Sequence, residues 1–251
     1  MSKSSSTDRD RRNEREPGEN TSVRGGLFDI ESPMAIELRR IMIRVGRQLD
    51  LERKRTILVT SAERGEGKSL FALHFSLVLA FHLPRRVLLL DGDIRRPVQH
   101  TVFQSPLSPG FCDLLKGEVP VEKAARPTKV KNLDFLPAGE VGGRPSRLFG
   151  SHRIRGAVDQ LHKVYDIIIL DSPPVVPVSD PLHFLEAVDG VLYLVMAGQT
   201  PKELSRRGIE ILEGAGANIL GAVANNLSEV LPYYYDQKYY GYEGSRKKRR
   251  A

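Results

Sequence analysis

Short, unbroken apolar runs alternate along this chain with longer stretches in which apolar residues recur every third or fourth position. The first such stretch follows Ser32-Pro33: Ala35, Leu38, Ile41, Met42 and Val45, with Glu37, Arg39, Arg40 and Arg44 between them, predict an amphipathic helix. Ile57-Leu58-Val59 is then a strand candidate, and Leu70 to Leu77 predicts a second amphipathic helix. Arg86-Val87-Leu88-Leu89-Leu90-Asp91 and Asp166-Ile167-Ile168-Ile169-Leu170-Asp171 are continuous runs of the kind buried on both faces of a parallel sheet. Between them lie a loop-rich section with a short helix near Phe111 to Leu115, and a short strand, Leu133 to Leu136, closed by Pro137-Ala138-Gly139. The Arg144-Pro145-Ser146 step predicts the start of a helix reaching about Val164, and Pro173-Pro174 stops the strand that follows it. Beyond it the pattern predicts a helix at Pro181 to Ala187, a strand at Val191 to Val195, a helix from about Pro201 to Glu213 and a strand at Ile219 to Ala224. Strands alternating with helices give an α/β fold: a mostly parallel, doubly wound sheet with helices on both faces.

Composition changes this picture at the two ends. Residues 1–26 are rich in Ser, Arg, Glu and Asp and too poor in apolar groups to offset ordering entropy, so they are read as a disordered N-terminal arm. Residues 27–228 form the expected domain, and 229–251 a flexible tail rich in tyrosine and basic residues. The formal charge of +7 is largely that tail, since Arg246-Lys247-Lys248-Arg249-Arg250 supplies +5 and leaves about +2. A basic face for nucleic acid is therefore not expected on the domain. The single cysteine, Cys112, excludes an intramolecular disulfide and fits a reducing compartment as a buried small hydrophobe. No apolar run is long enough to span a bilayer and the N-terminus has no signal-peptide core, so a cytoplasmic location is expected unless a partner holds the chain at a membrane. The six histidines, His74 and His183 among them, show no metal-site spacing.

The candidate chemistry sits where the apolar runs stop. After the first strand come Ala62-Glu63-Arg64-Gly65-Glu66-Gly67-Lys68-Ser69, which open a helix. Glycines beside Lys-Ser let backbone N–H groups close around a phosphate chain at a helix N-terminus, although Ala62 stands where the strict P-loop pattern has its first glycine. Two further strands end in Asp91-Gly92-Asp93 and Asp171-Ser172-Pro173-Pro174. Ligands of parallel sheets bind outside the carboxyl ends of the strands, so the three segments can converge. A magnesium-bound triphosphate would then find Lys68 at its terminal phosphates, the Ser69 hydroxyl on the metal, and Asp171 as the strand-end carboxylate beside it. Asp91 and Asp93 face the same side if extended backbone persists through Gly92, one serving the metal and the other the acceptor.

These three segments resemble the Walker A, Walker A′ and Walker B motifs of the bacterial tyrosine kinases, which belong to the P-loop NTPase architecture of MinD and ParA type. The resemblance extends from Ser32-Pro33 through Gly110-Phe111-Cys112-Asp113-Leu114-Leu115, Pro137-Ala138-Gly139 and Ile219-Leu220-Gly221. It implies an ATP- and Mg²⁺-dependent autokinase of capsule and exopolysaccharide assembly. Lys68 with Gly65, Glu66, Gly67, Ser69 and Leu70 would hold ATP, with Asn225 near the adenine. Ser69, Asp93 and Asp171 would form the metal site, and Asp91 would accept or orient the tyrosine proton. An ordinary Asp near pKa ~3.9 facing a tyrosine near ~10 is mismatched by ~6 units, roughly 8 kcal/mol, so Asp91 would take the proton late. The implied partners are a membrane polysaccharide co-polymerase that activates the kinase and recruits it to the inner membrane face, a cognate tyrosine phosphatase, and further copies of the chain. The family's Glu-x-x-Arg-x-x-Arg assembly helix is matched here at Arg39 only, Ile36 and Met42 filling the other positions.

Six of the eight tyrosines, Tyr233, Tyr234, Tyr235, Tyr239, Tyr240 and Tyr242, crowd the tail. Taken alone they suit an aromatic platform for sugars or bases as well as phosphoacceptors; the resemblance implies autophosphorylation. The dozen or so residues from Leu227 to Tyr239 can span ~40 Å, enough to reach a neighbour's site in trans. Each phosphate adds roughly −1.5 to −2, so a few would overturn the basic run. Two rivals stand beside this reading. A partitioning or positioning ATPase normally carries a lysine early in the loop, where this chain has Glu63. A non-catalytic, nucleotide-binding regulator of a polysaccharide exporter would transfer no phosphate.

Overall fold

The computed structural model describes residues 29–143 and 148–226. The N-terminal arm, the Arg144-Pro145-Ser146 helix start and the tail tyrosines lie outside the described residues. Seven strands, β1 (Arg55–Ser61), β2 (Val87–Asp91), β3 (Arg126–Pro127), β4 (Leu133–Leu136), β5 (Ile167–Asp171), β6 (Gly190–Met196) and β7 (Ile219–Asn225), form one sheet in the order β3-β4-β2-β5-β1-β6-β7. Every neighbouring pair is parallel except β3 with β4.

The unbroken apolar runs are explained by two cores, one on each face. Ile57, Val59, Val87, Leu89, Ile167 and Ile169 point to one side, where α1 (Pro33–Gln48) and α2 (Lys68–His82) cover them. Leu58, Leu88, Leu90, Ile168 and Leu170 point to the other, under α4 (Phe111–Lys116), α6 (Ser151–Leu161), α7 (Asp180–Phe184) and α8 (Lys202–Gly214). The helix at the phosphate loop differs from the amphipathic expectation: Phe71, Ala72, Phe75, Leu77, Val78, Leu79 and Ala80 are all buried, because α2 lies between the sheet and α1. Its Phe71 and Phe75 rings stack at 5.5 Å. The α1 helix begins as its sequence indicates, Ser32 Oγ accepting the Ala35 N–H at 3.2 Å with Pro33 at the first helical position. It buries Ala35, Leu38 and Val45, and Gln48 Nε2 donates to Leu220 O on β7 at 2.8 Å. Burying Leu38 and Val45 contributes about 1.5–3 kcal/mol each. Arg39 turns back to Ile30 O and Glu31, and Arg40 pairs with Glu37.

The helix expected from residue 144 to about 164 is shorter. It starts at Ser151, after an extended Gly150 (φ −128°, ψ 129°), and ends at Leu161. Leu148 and Phe149 are buried outside the helix, Phe149 lying flat on His183 and edge-on to Phe184 at 5.5 Å, so this anchor draws the chain across α7 before winding can begin. Three elements have no counterpart in the sequence pattern: α3 (Gln99–Val102), α5 (Val121–Ala124) and β3. Each is too short to show a period. Among the described residues no helix is long and apolar enough to cross a membrane.

Candidate functional site

Strands β2, β5 and β1 are adjacent at the centre of the sheet, and parallel pairing brings their carboxyl ends to one edge. Asp91 lies opposite Asp171 in register, and Asp171 opposite Val59, three residues before the phosphate loop starts at Ala62. The three sequence segments therefore meet. Gly92 keeps the strand ends close: its N–H donates to Asp171 O at 2.7 Å, and a Cβ there would sit 2.8 Å from that same oxygen. Extended backbone stops at Asp91, however, which corrects the pleat argument for Asp93. Asp93 Oδ1 accepts the Arg96 N–H at 3.0 Å and caps a turn, so Asp93 reaches the site from a loop and not from the strand.

The loop from Ala62 to Gly67 has the two left-handed glycines that its shape requires, Gly65 (φ +83°) and Gly67 (φ +86°). A Cβ on Gly67 would come 2.2 Å from Asn225 Nδ2. Ala62, where a glycine is expected by pattern, has no positive φ and is fully buried; its carbonyl accepts the Val176 N–H at 3.2 Å. Nothing in its geometry demands glycine. Lys68 is almost wholly buried and its Nζ donates to Ser61 Oγ (3.0 Å) and Glu63 O (3.1 Å). Burial pulls its pKa down, against the charges of Asp171, Glu66 and Asp93, which hold it up. Leu70, at the start of α2, is exposed.

Two carboxylates form the floor. Asp91 Oδ2 accepts the N–H groups of Val98 (3.2 Å) and Gln99 (3.1 Å), and Asp171 Oδ2 accepts Gln99 Nε2 (3.0 Å) while the Ser69 hydroxyl also bonds the Asp171 carboxylate. Each leaves its Oδ1 buried without a hydrogen-bond partner among the described residues. Burial and the Asp171 charge push Asp91 well above the usual carboxylate range; burial pushes Asp171 up to about 6, with its bonds to Ser69 and Gln99 and the Lys68 charge opposing. The ordinary pKa assumed for Asp91 from sequence is thus corrected, and the mismatch with a tyrosine hydroxyl is narrower. Paired buried carboxylates with orphaned oxygens beside a lysine fit a hard dication that takes part of its ligand shell from phosphates and water. Among the described residues no three His, Cys, Asp or Glu side chains are grouped as a metal cage by themselves.

Gln99, Thr200 and Asp180 act at this site with no sequence signal of their own. Gln99 is 1% exposed and ties the centre together: its Nε2 reaches both Asp171 Oδ2 and Ser69 O (2.8 Å), and its N–H reaches Asp91. A glutamine two residues after a proline belongs to no motif, and the single turn of α3 that places it is too short to read. Gln99→Leu takes the amide donor from buried Asp171 Oδ2 and from Ser69 O and is expected to destabilise the domain by about 2 kcal/mol. Urea unfolding checks this, and a loss under ~0.5 kcal/mol would show that the amide contributes little. Glu66 is also buried; its carboxylate accepts the Glu63 N–H (2.6 Å) and the Thr200 hydroxyl (2.5 Å), clamping the loop to the β6–α8 connection. Asn225 closes the other side, Nδ2 donating to Glu66 O at 3.0 Å. Arg95 pairs in two-pronged fashion with buried Asp180 (2.5 and 2.8 Å), fixing the loop after Asp93 on the start of α7. Cys112 is buried, its thiol pushed up to about 12, and it stays a small hydrophobe.

No protein-family model matches the chain. It is 30% identical over 187 residues to tyrosine-protein kinase YwqD of Bacillus subtilis, covering 74% of this chain and 78% of that one. Among solved structures it is similar to the chimerical protein CapA2B2 (TM-score 0.72, 30% identity, 77% of this chain and 85% of that one). At 22% identity and a TM-score of 0.57, the septum site-determining protein MinD of Pyrococcus horikoshii shares the fold, over 68% of this chain and 70% of that one. The likeness to MinD is one of fold, and the relatedness to YwqD and CapA2B2 at this identity and coverage is narrower: this chain belongs to the bacterial tyrosine kinases.

Proposed function

We propose that the chain is an ATP-dependent protein-tyrosine autokinase that phosphorylates the tyrosine cluster of its own tail, in trans between copies, to regulate exopolysaccharide or capsule polymerisation and export. The observation that carries this reading is the meeting of Lys68, Asp91 and Asp171 at the ends of three adjacent strands, with one orphaned oxygen on each carboxylate.

In this reading the N–H groups of Gly65 to Leu70 cradle the phosphates, and Lys68 leaves Ser61 and Glu63 to pair with the terminal ones. Ser69, Asp171 and Asp93 would hold Mg²⁺, which when bound would offset charge on the phosphate oxygens. Asn225, whose amide holds Glu66 O, would lie near the adenine. The acceptor tyrosine oxygen forms a bond to the γ-phosphorus as the bond to the bridging β–γ oxygen breaks and ADP leaves. Asp91 orients the hydroxyl and takes its proton late. Burial raises the proton affinity of Asp91, which favours that role over a purely electrostatic one. Residues 27–228 are the kinase domain, 1–26 an arm and 229–251 the substrate tail. A membrane polysaccharide co-polymerase would activate the domain and bring it to the inner face of the membrane, and a cognate phosphatase would reset the tail.

The full chain, incubated with γ-labelled ATP, Mg²⁺ and the activator's cytoplasmic segment, is expected to label on tyrosine. Replacing Tyr233, Tyr234, Tyr235, Tyr239, Tyr240 and Tyr242 together by Phe should cut that label at least tenfold. Label at full strength in this variant would remove the tail from the mechanism. Phosphate release without tyrosine label would mark a plain ATPase.

A further inference from the structure

The mouth of the site is lined with arginine. Arg64 in the phosphate loop and Arg96 after Asp93 line a narrow cleft together with Asp93, Pro173, Pro174 and Pro177. Arg95, on the same rim, is committed to Asp180, whereas Arg64 and Arg96 are exposed and neither forms an ion pair among the described residues. Arg64 and Pro177 also line a neighbouring open cavity of about 380 Å³, together with Glu63, Val176 and Leu204. A proline-lined surface beside Asp93 that carries two uncommitted guanidinium groups and adjoins the larger, open cavity suits an extended peptide with an aromatic residue and an acidic residue beside it.

The tail offers that pattern unevenly. Tyr235 is followed by Asp236 and Tyr242 by Glu243, while Tyr233, Tyr234, Tyr239 and Tyr240 are followed by tyrosine or glycine. Between Pro232 and Gly244 the only cation is Lys238, and the basic run begins later, at Arg246. We propose that Arg64 and Arg96 form an acceptor-selecting rim that reads the acidic residue after the tyrosine of a second copy's tail, so that Tyr235 and Tyr242 are phosphorylated ahead of the other four. This rests on the kinase reading above and adds to it a rule of site choice. Two exposed ion pairs supply about a threefold to tenfold preference, weakened by salt.

The test uses wild-type chain as enzyme, its activating segment and Mg²⁺-ATP. The acceptor is full chain carrying Lys68→Met, which cannot label itself in this reading. Site-resolved mass spectrometry at early times is expected to show Tyr235 and Tyr242 gaining phosphate about three to ten times faster than the rest. Asp236→Lys in the acceptor should drop Tyr235 to the rate of its neighbours and leave Tyr242 unchanged. Arg96→Glu in the enzyme should shrink or invert the preference and restore the Asp236→Lys acceptor relative to the native one. Equal rates at all six tyrosines, or an order indifferent to Asp236→Lys, would overturn the rim while leaving the kinase standing. So would an Arg96→Glu enzyme with a raised KM for ATP and an unchanged site order, which would assign the arginine to the nucleotide. No phosphotyrosine on any acceptor would overturn both readings.

Discussion

Asp91→Asn is expected to lower tyrosine phosphorylation by about a thousandfold while changing nucleotide affinity by no more than a few fold. The amide matches the carboxylate in shape, so its oxygen can still accept the Val98 and Gln99 N–H groups that Asp91 Oδ2 accepts at 3.2 and 3.1 Å. The backbone from Gly92 to Gln99 should therefore stay in place. In the proposed mechanism the variant lacks the site that takes the tyrosine proton, an effect worth about 10²–10⁴ in rate. Asparagine also removes the charge that pushes against Asp171, so the fold gives up nothing electrostatically. The pH profile gives a second signature. Asp91 acts as acceptor only when ionised, and its raised pKa places the acid limb of kcat above the ordinary carboxylate range in the wild type, a limb the variant should lose. Single-turnover rates with a separate acceptor, alongside titration of a fluorescent ADP analogue, separate the two quantities. A variant keeping more than a tenth of the wild-type rate would deny Asp91 the proton.

How much of this site was readable in advance depends on the length of chain that specifies each part. β1, β2 and β5 are buried on both faces, so each must be a continuous apolar run, and the residue ending the run must sit at the sheet's carboxyl edge. That is why Lys68, Asp91 and Asp171 were legible together although they are far apart in sequence. Asp93 was legible as a charge but not in its placement, because its position depends on one hydrogen bond to the Arg96 N–H. Gln99, Thr200 and Asp180 escaped because each acts by reaching across from an element whose local sequence says nothing about its distant partner: Ser69 and Asp171 for Gln99, Glu66 for Thr200, Arg95 for Asp180. The late start of α6 was hidden for the same reason. Phe149 reads as one more helical apolar residue until His183 and Phe184 are placed against it.

The opposite conflict, between what the fold prefers and what the site requires, is concentrated in Asp171. It is fully buried in the centre of the sheet, and one of its oxygens has no hydrogen-bond partner among the described residues. Its pKa is raised from 3.8 to about 6 by burial. The folded domain therefore holds this proton more tightly than the unfolded chain does. The contribution to stability is fully present below about pH 4, fades as the pH climbs through about 6, and above that remains a penalty on the order of 3 kcal/mol. Asp171→Asn removes the penalty but also takes from buried Lys68 the strongest charge supporting it, which returns part of the gain. The ligand-free variant is accordingly expected to be more stable than wild type by about 1–2 kcal/mol at pH 7.5, with the difference vanishing near pH 4. Adding Mg²⁺-ADP should reverse the order, since only the wild type gains strongly from binding. Kinase activity should fall by about a thousandfold in the same variant, in line with losing several kcal/mol of metal-supported charge stabilisation. Melting curves at pH 4.5, 6 and 7.5, with and without Mg²⁺-ADP, follow all of this in one experiment. A wild-type domain that is the more stable of the two at neutral pH without ligand would mean that Asp171 is held for the fold, and would remove the reason for assigning its free oxygen to a metal.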